Sequence, residues 1–167
     1  MLKRFLFSAG ILIILLLLQS TWMHAIAVYG VIPDLSLVAI IFIAFRNPGL
    51  QGQVLGLGAG LLQDSISGAP LGYSAFIKTA IAWTANALSG KFYIDRIFMP
   101  FVFGFTGTLL KALYAYFLSI LFGPVIESYN FLGYVLWLEA GLNAVSALVL
   151  FWILSRLEKV LLTAGSY

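Results

Sequence analysis

Long apolar runs separated by short polar turns make up almost the whole sequence. Unbroken apolar runs of this length are typical of membrane-spanning helices, whereas alternating apolar and polar positions would indicate strands. The sequence therefore predicts one all-α integral membrane domain over residues 1–167, folded as a compact bundle of six transmembrane helices. The predicted helices lie at about residues 5–29, 35–45, 50–63, 71–89, 97–122 and 131–154.

The first apolar run starts after the basic pair Lys3-Arg4 and continues to about Tyr29. A basic start, an apolar core and the small residues at 25–27 would also fit a cleaved signal peptide. A helix over this run is roughly 37 Å long, which is too long for a signal-peptide core and enough to cross a bilayer with tilt. We therefore expect a spanning helix. His24 then lies near its end, where a histidine facing lipid headgroups is the expected role rather than a proton carrier.

The second and third runs are short, and the turn at residues 46–49 separates them. Asp34 precedes the second run and is well placed to cap that helix. A re-entrant hairpin that never crosses would bury Arg46 near the bilayer centre, which is costly. We therefore expect two short spanning helices, with the bilayer locally thinned or the helix ends sheltered by neighbouring helices.

Composition supports the membrane class. Hydrophobic residues make up 62% of the chain and charged residues only 9%, whereas a soluble domain carries about 25% charged residues. The chain has no cysteine. This excludes disulfides, thiolate metal sites and cysteine nucleophiles.

Basic residues lie at one end of the predicted helices. With six spans, both termini fall on the same side of the membrane. The lysines and arginines outside the helices all lie on that side, whereas the opposite loops carry only acidic residues. The basic residues are Lys3, Arg4, Arg46, Lys91, Arg96, Arg156 and Lys159, and the acidic residues are Asp34, Asp64 and Glu127. The positive-inside rule predicts cytoplasmic termini.

Three charged residues fall inside predicted helices: Lys78, Lys111 and Glu139. Together with Asp64 their charges sum to zero. Helical rise places Lys78 at ~10 Å, Glu139 at ~12 Å and Lys111 at ~16 Å from the outer helix ends, with Asp64 near the surface. Unpaired charges are costly inside a membrane, so these depths predict the pairs Asp64–Lys78 and Glu139–Lys111. Asp64 ends a helix, where the macrodipole disfavours an anion, and a donor-rich loop would serve it as well as a cation.

Three glycines recur every fourth residue on the third helix, at Gly52, Gly56 and Gly60, and Asp64 is the next member of the series. Small residues at this spacing let membrane helices approach closely. We predict a packing ridge that receives a helix of this chain or of a partner. Helices three to six are expected to converge on one interior that holds the polar residues Asp64, Lys78, Asn86, Lys111, Glu139 and Asn143.

The predicted interior fits a structural role, a ligand cavity, a proton path or an intramembrane active site, and the structural role is preferred. An aspartic protease needs two facing carboxylates. Asp34 and Asp64 both lie near the outer surface, which leaves that alternative open, although capping explains Asp34 better. The sequence has no serine–histidine pair, no metal-spaced histidine cluster and no phosphate-binding loop. We therefore expect that the protein is not an enzyme and binds neither a cofactor nor a metal ion.

The stretch from Leu61 to Gly72 resembles the L-x-x-D-x-x-S-G-x-P-L-G signature of the rod shape-determining protein MreD family. Its matching outer-loop residues are Asp64, Ser67, Gly68, Pro70, Leu71 and Gly72. The Pro33-Asp34 entry to helix two and the turn at 46–48 also resemble that family. The specific match covers about residues 33–86.

The resemblance implies a non-catalytic scaffold of the bacterial inner membrane that works in the elongation (rod) complex for lateral-wall peptidoglycan synthesis. The implied partners are MreC, RodA and its penicillin-binding transpeptidase, MreB filaments indirectly, and membrane lipids, but not nucleic acid. It also implies a fold similar to the S-components of energy-coupling-factor vitamin transporters. The alternative hypothesis is a small-molecule binder of that S-component type.

Overall fold

The computed structural model describes residues 2–22, 27–47, 49–90, 97–123 and 130–158. These ranges contain six α-helices and no named strand, which confirms the all-α prediction. The helices are α1 (Leu2–Thr21), α2 (Leu35–Arg46), α3 (Leu50–Ser67), α4 (Tyr73–Leu88), α5 (Phe98–Phe122) and α6 (Tyr134–Arg156). The predictions for His24, Lys91, Arg96, Glu127 and Lys159 lie outside the described residues.

The first helix ends earlier than predicted. Helix α1 stops at Thr21 rather than Tyr29. Farther along, Val28 and Val31 exchange two backbone hydrogen bonds of 2.9 and 3.1 Å around a tight turn. Tyr29 and Gly30 both have positive φ in that turn, a conformation that an α-helix does not contain. The apolar character of this stretch was therefore wrongly interpreted as helix.

Three of the helices have the length and composition to cross a membrane, namely α1, α5 and α6. These helices identify the chain as a membrane protein. Helix α2 is apolar but only 12 residues long, or about 18 Å. That the other three helices also cross stays a prediction.

Helix α2 forms the core of the bundle. Every residue from Leu35 to Phe45 is buried, and α2 contacts all five other helices. Its aromatic rings interlock with their neighbours: Phe42 meets Phe151 edge-on at 5.0 Å, and Phe45 lies 4.7 Å from Phe103. The interior was predicted to form from helices three to six. In the structure it forms around helix two.

Two antiparallel helix pairs, α3 with α4 and α5 with α6, pack around α2. Glycines set the close approaches. A Cβ added at Gly104 on α5 would collide with the backbone carbonyl oxygen of Asn143 on α6, and one at Gly107 would collide with the side chain of Ile41. A methyl group at Gly104 would therefore force α5 away from α6, whereas one at Gly107 would displace only the end of the Ile41 side chain.

Candidate functional site

The glycine series on α3 is a docking ridge used within this chain. A Cβ at Gly52 would lie 2.6 Å from the Ala44 Cβ on α2, and one at Gly56 would lie 3.0 Å from the Lys78 carbonyl oxygen on α4. At Gly60 the added atom would overlap the backbone of Ala75. The ridge therefore holds α3 against both α2 and α4 at backbone distance.

Asp64, the next position of that ridge, caps the following helix. Its side chain is buried, with the residue only 1% exposed. Oδ2 accepts a hydrogen bond from the Gly72 N–H at 2.9 Å, and Oδ1 accepts one from the Ser74 N–H at 2.9 Å. These donors belong to the first turn of α4, where unpaired N–H groups and the positive end of the helix dipole favour an anion. The donor-rich loop, rather than a cation, holds the carboxylate.

The rest of the signature shapes the corner between α3 and α4. Gly68 ends α3 with φ of 70°, and its N–H bonds the Asp64 carbonyl oxygen at 3.1 Å. Gly72 precedes α4 with φ of 98°. Both conformations favour glycine. The Pro70 carbonyl oxygen accepts from the Tyr73 N–H at 3.1 Å, which closes the turn.

The remaining two signature residues, Ser67 and Leu71, are exposed at the surface of this corner. Leu71 is 76% exposed, so the corner presents a bare apolar side chain. The signature as a whole, from Asp64 to Gly72, is therefore a turn stabilised by its own backbone donors.

Asp34 is the centre of a second acidic site. As predicted, it caps α2, because its Oδ1 accepts from the Leu37 N–H at 3.0 Å. Ser36 Oγ donates to the same oxygen at 2.8 Å. The Asp34 N–H donates to Asn143 Oδ1 at 2.6 Å. The residue is 2% exposed, so this carboxylate is bound on several sides away from water.

Two lysines meet at Asp34. Lys78 Nζ lies 3.6 Å from Asp34 Oδ1 and also donates to Ser36 Oγ and Gln63 Oε1. Lys111 Nζ lies 3.2 Å from Asp34 Oδ2. Side chains from α2, α4 and α5 thus converge on one carboxylate, and Gln63 of α3 joins through Lys78. This pairing offsets charges that would be costly alone inside a membrane.

Glu139 completes this buried charge cluster, which we define as Asp34, Lys78, Lys111 and Glu139. Lys111 Nζ lies 2.6 Å from Glu139 Oε1, so the predicted Glu139–Lys111 pair is present. The four charges sum to zero. Asn143 adds a second link between α6 and α5, because its Nδ2 donates to Thr108 Oγ1 at 2.8 Å.

The predicted pair Asp64–Lys78 was wrong. Lys78 pairs with Asp34 instead, and Asp64 uses both oxygens on backbone N–H groups. Depth along the helices does not distinguish these two acids, because both lie near the outer helix ends. What distinguishes them is the position of α4. This helix begins next to the Asp64 carboxylate, so its first N–H groups supply the hydrogen bonds that a lysine would otherwise provide.

Asn86 was predicted in the same interior but lies elsewhere. Its Oδ1 accepts from the Gly49 N–H at 3.2 Å and its Nδ2 donates to the Gly49 carbonyl oxygen at 3.4 Å. Ser89 Oγ donates to the Phe45 carbonyl oxygen at 2.6 Å beside it. These contacts fasten the turn between α2 and α3 to the end of α4, at the opposite end from the cluster.

Sequence reasoning assigned Asp34 only a cap and missed its role in the cluster. The number of charges could have indicated this role. The two predicted pairs use two acids and two lysines, so adding Asp34 leaves one acid in excess, and one of the three acids must be held by other hydrogen-bond donors. Ser36, Gln63 and Thr108 also belong to the network. Nothing in the sequence around these three distinguishes them from other polar residues in the helices.

The cluster has little room for chemistry. The void lined by Asp34, Gln63, Tyr73, Lys78 and Lys111 has a volume of about 20 Å³, the size of one water molecule. Asp34 is engaged by two lysines, and Asp64 by backbone N–H groups. The two aspartates are therefore not arranged as the carboxylate dyad of an aspartic protease, in which two carboxyl groups face each other and share a proton.

A family model described as "MreD: rod shape-determining protein MreD" matches residues 2–160, nearly the whole chain. The chain belongs to the MreD family. The resemblance seen in the signature is thereby confirmed, and it extends well beyond residues 33–86. No curated protein and no solved structure matches the chain, so similarity to the transporter S-components stays a prediction.

Membership of the MreD family gives the two acidic sites a context. The family takes part in rod shape determination. The signature corner and the buried charge cluster are both explained by folding: one turns the chain from α3 into α4, and the other joins α2, α4, α5 and α6.

Proposed function

We propose that the protein is a non-catalytic scaffold of the bacterial inner membrane, which docks MreC in the rod complex for lateral-wall peptidoglycan synthesis. Through MreC it would work alongside RodA and its penicillin-binding transpeptidase, and indirectly with MreB filaments. The observation that carries this proposal is the MreD family match over residues 2–160. The chemistry of the site supports it, since the charges of the buried cluster bind one another.

We further propose six spans with both termini in the cytoplasm. In support, the helix ends that carry the described basic residues lie together on one side of the bundle. Arg46 pairs with Glu158 at 3.3 Å, which brings the end of α2 to the end of α6. Gln51 bonds Ser8 at 3.5 Å, which places the start of α3 beside the first turns of α1. The positive-inside rule assigns this end to the cytoplasm.

The outer corner offers a surface for the membrane helix of MreC. An apolar groove of about 350 Å³ runs between the start of α4 and the end of α5, lined by Pro70, Leu71, Gly72, Tyr73, Phe76, Leu118 and Phe122. Leu71 and Phe76 are 76% and 51% exposed. Aromatic and aliphatic side chains around a groove are typical anchors of an interface, and the signature residues supply one wall.

Co-purification from membranes tests this proposal. A tagged chain is expected to retain MreC. The double variant Leu71→Ser, Phe76→Ala is expected to retain about tenfold less, which corresponds to a loss of ~1.4 kcal/mol in binding free energy. Trp83→Ala is the matched control, because Trp83 is 62% exposed on the same helix but outside the groove. An intact wild-type chain that retains no MreC would sink the scaffold proposal. Equal retention by all three proteins would move docking to another surface.

The alternative, a vitamin binder of the S-component type, requires room in the polar interior. The void at the cluster has a volume of about 20 Å³, whereas sites for small molecules usually measure about 300–1,000 Å³. The described interior therefore favours the scaffold. A stoichiometric vitamin in the purified protein would reverse that preference.

A further inference from the structure

A second groove lies between the ends of α1 and α3 and shares no lining residue with the apolar groove. It has a volume of about 410 Å³ and is lined by Leu16, Gln19, Ser20, Ile32, Gln63, Ile66 and Ser67. This volume is in the range of small-molecule sites. Four of these lining residues are polar but uncharged, and the other three are apolar. We call this the α1–α3 groove.

One wall of the α1–α3 groove carries an unused acceptor. Gln19 Oε1 is buried and has no hydrogen-bond partner within the described structure. Buried polar atoms are nearly always hydrogen-bonded, because leaving one unpaired forfeits the hydration it had in water. Gln19 lines the groove, so a donor seated there would satisfy it.

The opposite wall presents a donor. Gln63 Oε1 accepts from Lys78 Nζ. An ammonium group only donates, so the amide oxygen must face the lysine, and the NH₂ group is the part of the amide left for other partners. Gln63 thus connects the buried charge cluster to the groove and offers donors where Gln19 offers an acceptor.

A hydroxyl or amide group donates and accepts at once, so it matches both walls. No charged side chain is among the described lining residues, which disfavours a phosphate or an ammonium group. Leu16, Ile32 and Ile66 supply apolar contact, and Ile13, which is exposed and lies three residues before Leu16 on the same face, continues it along α1. We propose that the α1–α3 groove binds a neutral amphiphile, a hydroxyl- or amide-headed lipid whose chain lies along α1.

Trp22 provides a reporter for this site. It lies three residues beyond Gln19, less than one helical turn away, and is 74% exposed. The other tryptophans are Trp83, Trp137 and Trp152, which are also exposed. Changing these three to phenylalanine leaves a full-length protein with Trp22 as its only tryptophan.

The experiment reconstitutes this protein in phosphatidylcholine vesicles that contain either a chain-brominated monoacylglycerol or a chain-brominated phosphatidylcholine at equal bromine content. Bromine quenches nearby tryptophan. The monoacylglycerol is expected to quench Trp22 more strongly than the phosphatidylcholine does. In Gln19→Leu this excess is expected to disappear, and in Thr21→Val it is expected to remain. The Thr21 hydroxyl bonds the Leu17 carbonyl oxygen and lies outside the groove.

The fold of Gln19→Leu serves as a control, since removing an unpaired acceptor is expected to leave the thermal unfolding midpoint unchanged or raised. Relief of the excess by free glycerol would assign the same hydroxyl chemistry to a water-soluble source. Equal quenching by the two lipids, or an excess that persists in Gln19→Leu, would overturn the proposal. Loss of the excess on co-reconstitution with MreC would assign the groove to a protein helix and overturn it as well.

Discussion

Asp34 and Asp64 are two buried aspartates at the same end of the bundle that are stabilised in different ways. Asp34 meets the ammonium groups of Lys78 and Lys111, whereas Asp64 meets the N–H groups of Gly72 and Ser74. Each carboxylate also meets the start of a helix, α2 for Asp34 and α4 for Asp64, where the dipole favours an anion. Backbone N–H groups are therefore enough to hold a buried carboxylate in this protein. A carboxylate pairs with lysines where, as at Asp34, buried lysines themselves need a negative charge.

The difference predicts unequal losses on mutation, and Asp34 is expected to show the largest. Asp34→Ala removes a cap and leaves two lysines short of a partner, so the stability of the bundle should fall by about 3–5 kcal/mol. Lys78→Met added to Asp34→Ala should recover part of it, because the uncompensated charge is removed. Thermal unfolding in nanodiscs measures both. A loss no larger than that of Ser65→Ala, whose hydroxyl lies at the exposed end of α3, would show that the cluster contributes little.

Asp64→Ala is expected to cost less, about 1.5–3 kcal/mol, because it removes charge-assisted hydrogen bonds to N–H groups but strands no charged partner. Lys78→Met should not rescue it, since Lys78 pairs with Asp34. Asp64→Asn keeps an acceptor and should lie between wild type and alanine. The same unfolding measurement decides. Rescue of Asp64→Ala by Lys78→Met would restore the pairing that the structure contradicts.

Gly60→Ala sharpens the comparison further, because Gly60 holds the start of α4 close to Asp64. Its added methyl would overlap the backbone of Ala75, and overpacking of this kind costs about 1–3 kcal/mol. Gly58→Ala is the matched control, with open space at its Cβ; it should be neutral or slightly stabilising.

The double variant Gly60→Ala, Asp64→Ala should lose less stability than the two single losses added together. The methyl group at position 60 alone already moves the hydrogen-bond donors of Asp64 away. If the two stability losses were fully additive, the packing of the glycine ridge and the Asp64 cap would be independent of each other. Asp34→Ala combined with Gly60→Ala serves as the reference, since Asp34 takes no partner from the first turn of α4.

Much of the fold follows from the sequence because apolar runs and turn residues determine it. The pattern located α2 at about residues 35–45, and it occupies Leu35–Arg46. What the pattern could not determine is which apolar helix is central. A helix that is apolar on every side suits lipid contact and a protein core equally well, so the burial of α2 depends on neighbours that the pattern does not specify.

The candidate site was predictable where depth alone decides the partner. Lys111 and Glu139 lie at similar depths on α5 and α6, and they pair. Depth failed for Lys78, because two acids were available at that level and the choice depends on where α4 starts. The predicted Asp34 cap is present, but the ability of its second oxygen to reach Lys111 depends on a tertiary approach of α5 to α2.

The cluster also orders the assembly of the chain in time. Its members are far apart in sequence, and the contact between Asp34 and Lys111 spans 77 residues. As the chain is synthesised from its N-terminus, Lys78 reaches Asp34 first, Lys111 then makes the net charge of the cluster positive, and only α6 brings Glu139 to balance it. A chain that stops after α5 therefore carries a buried surplus charge, and insertion of the last helix is what makes the interior neutral.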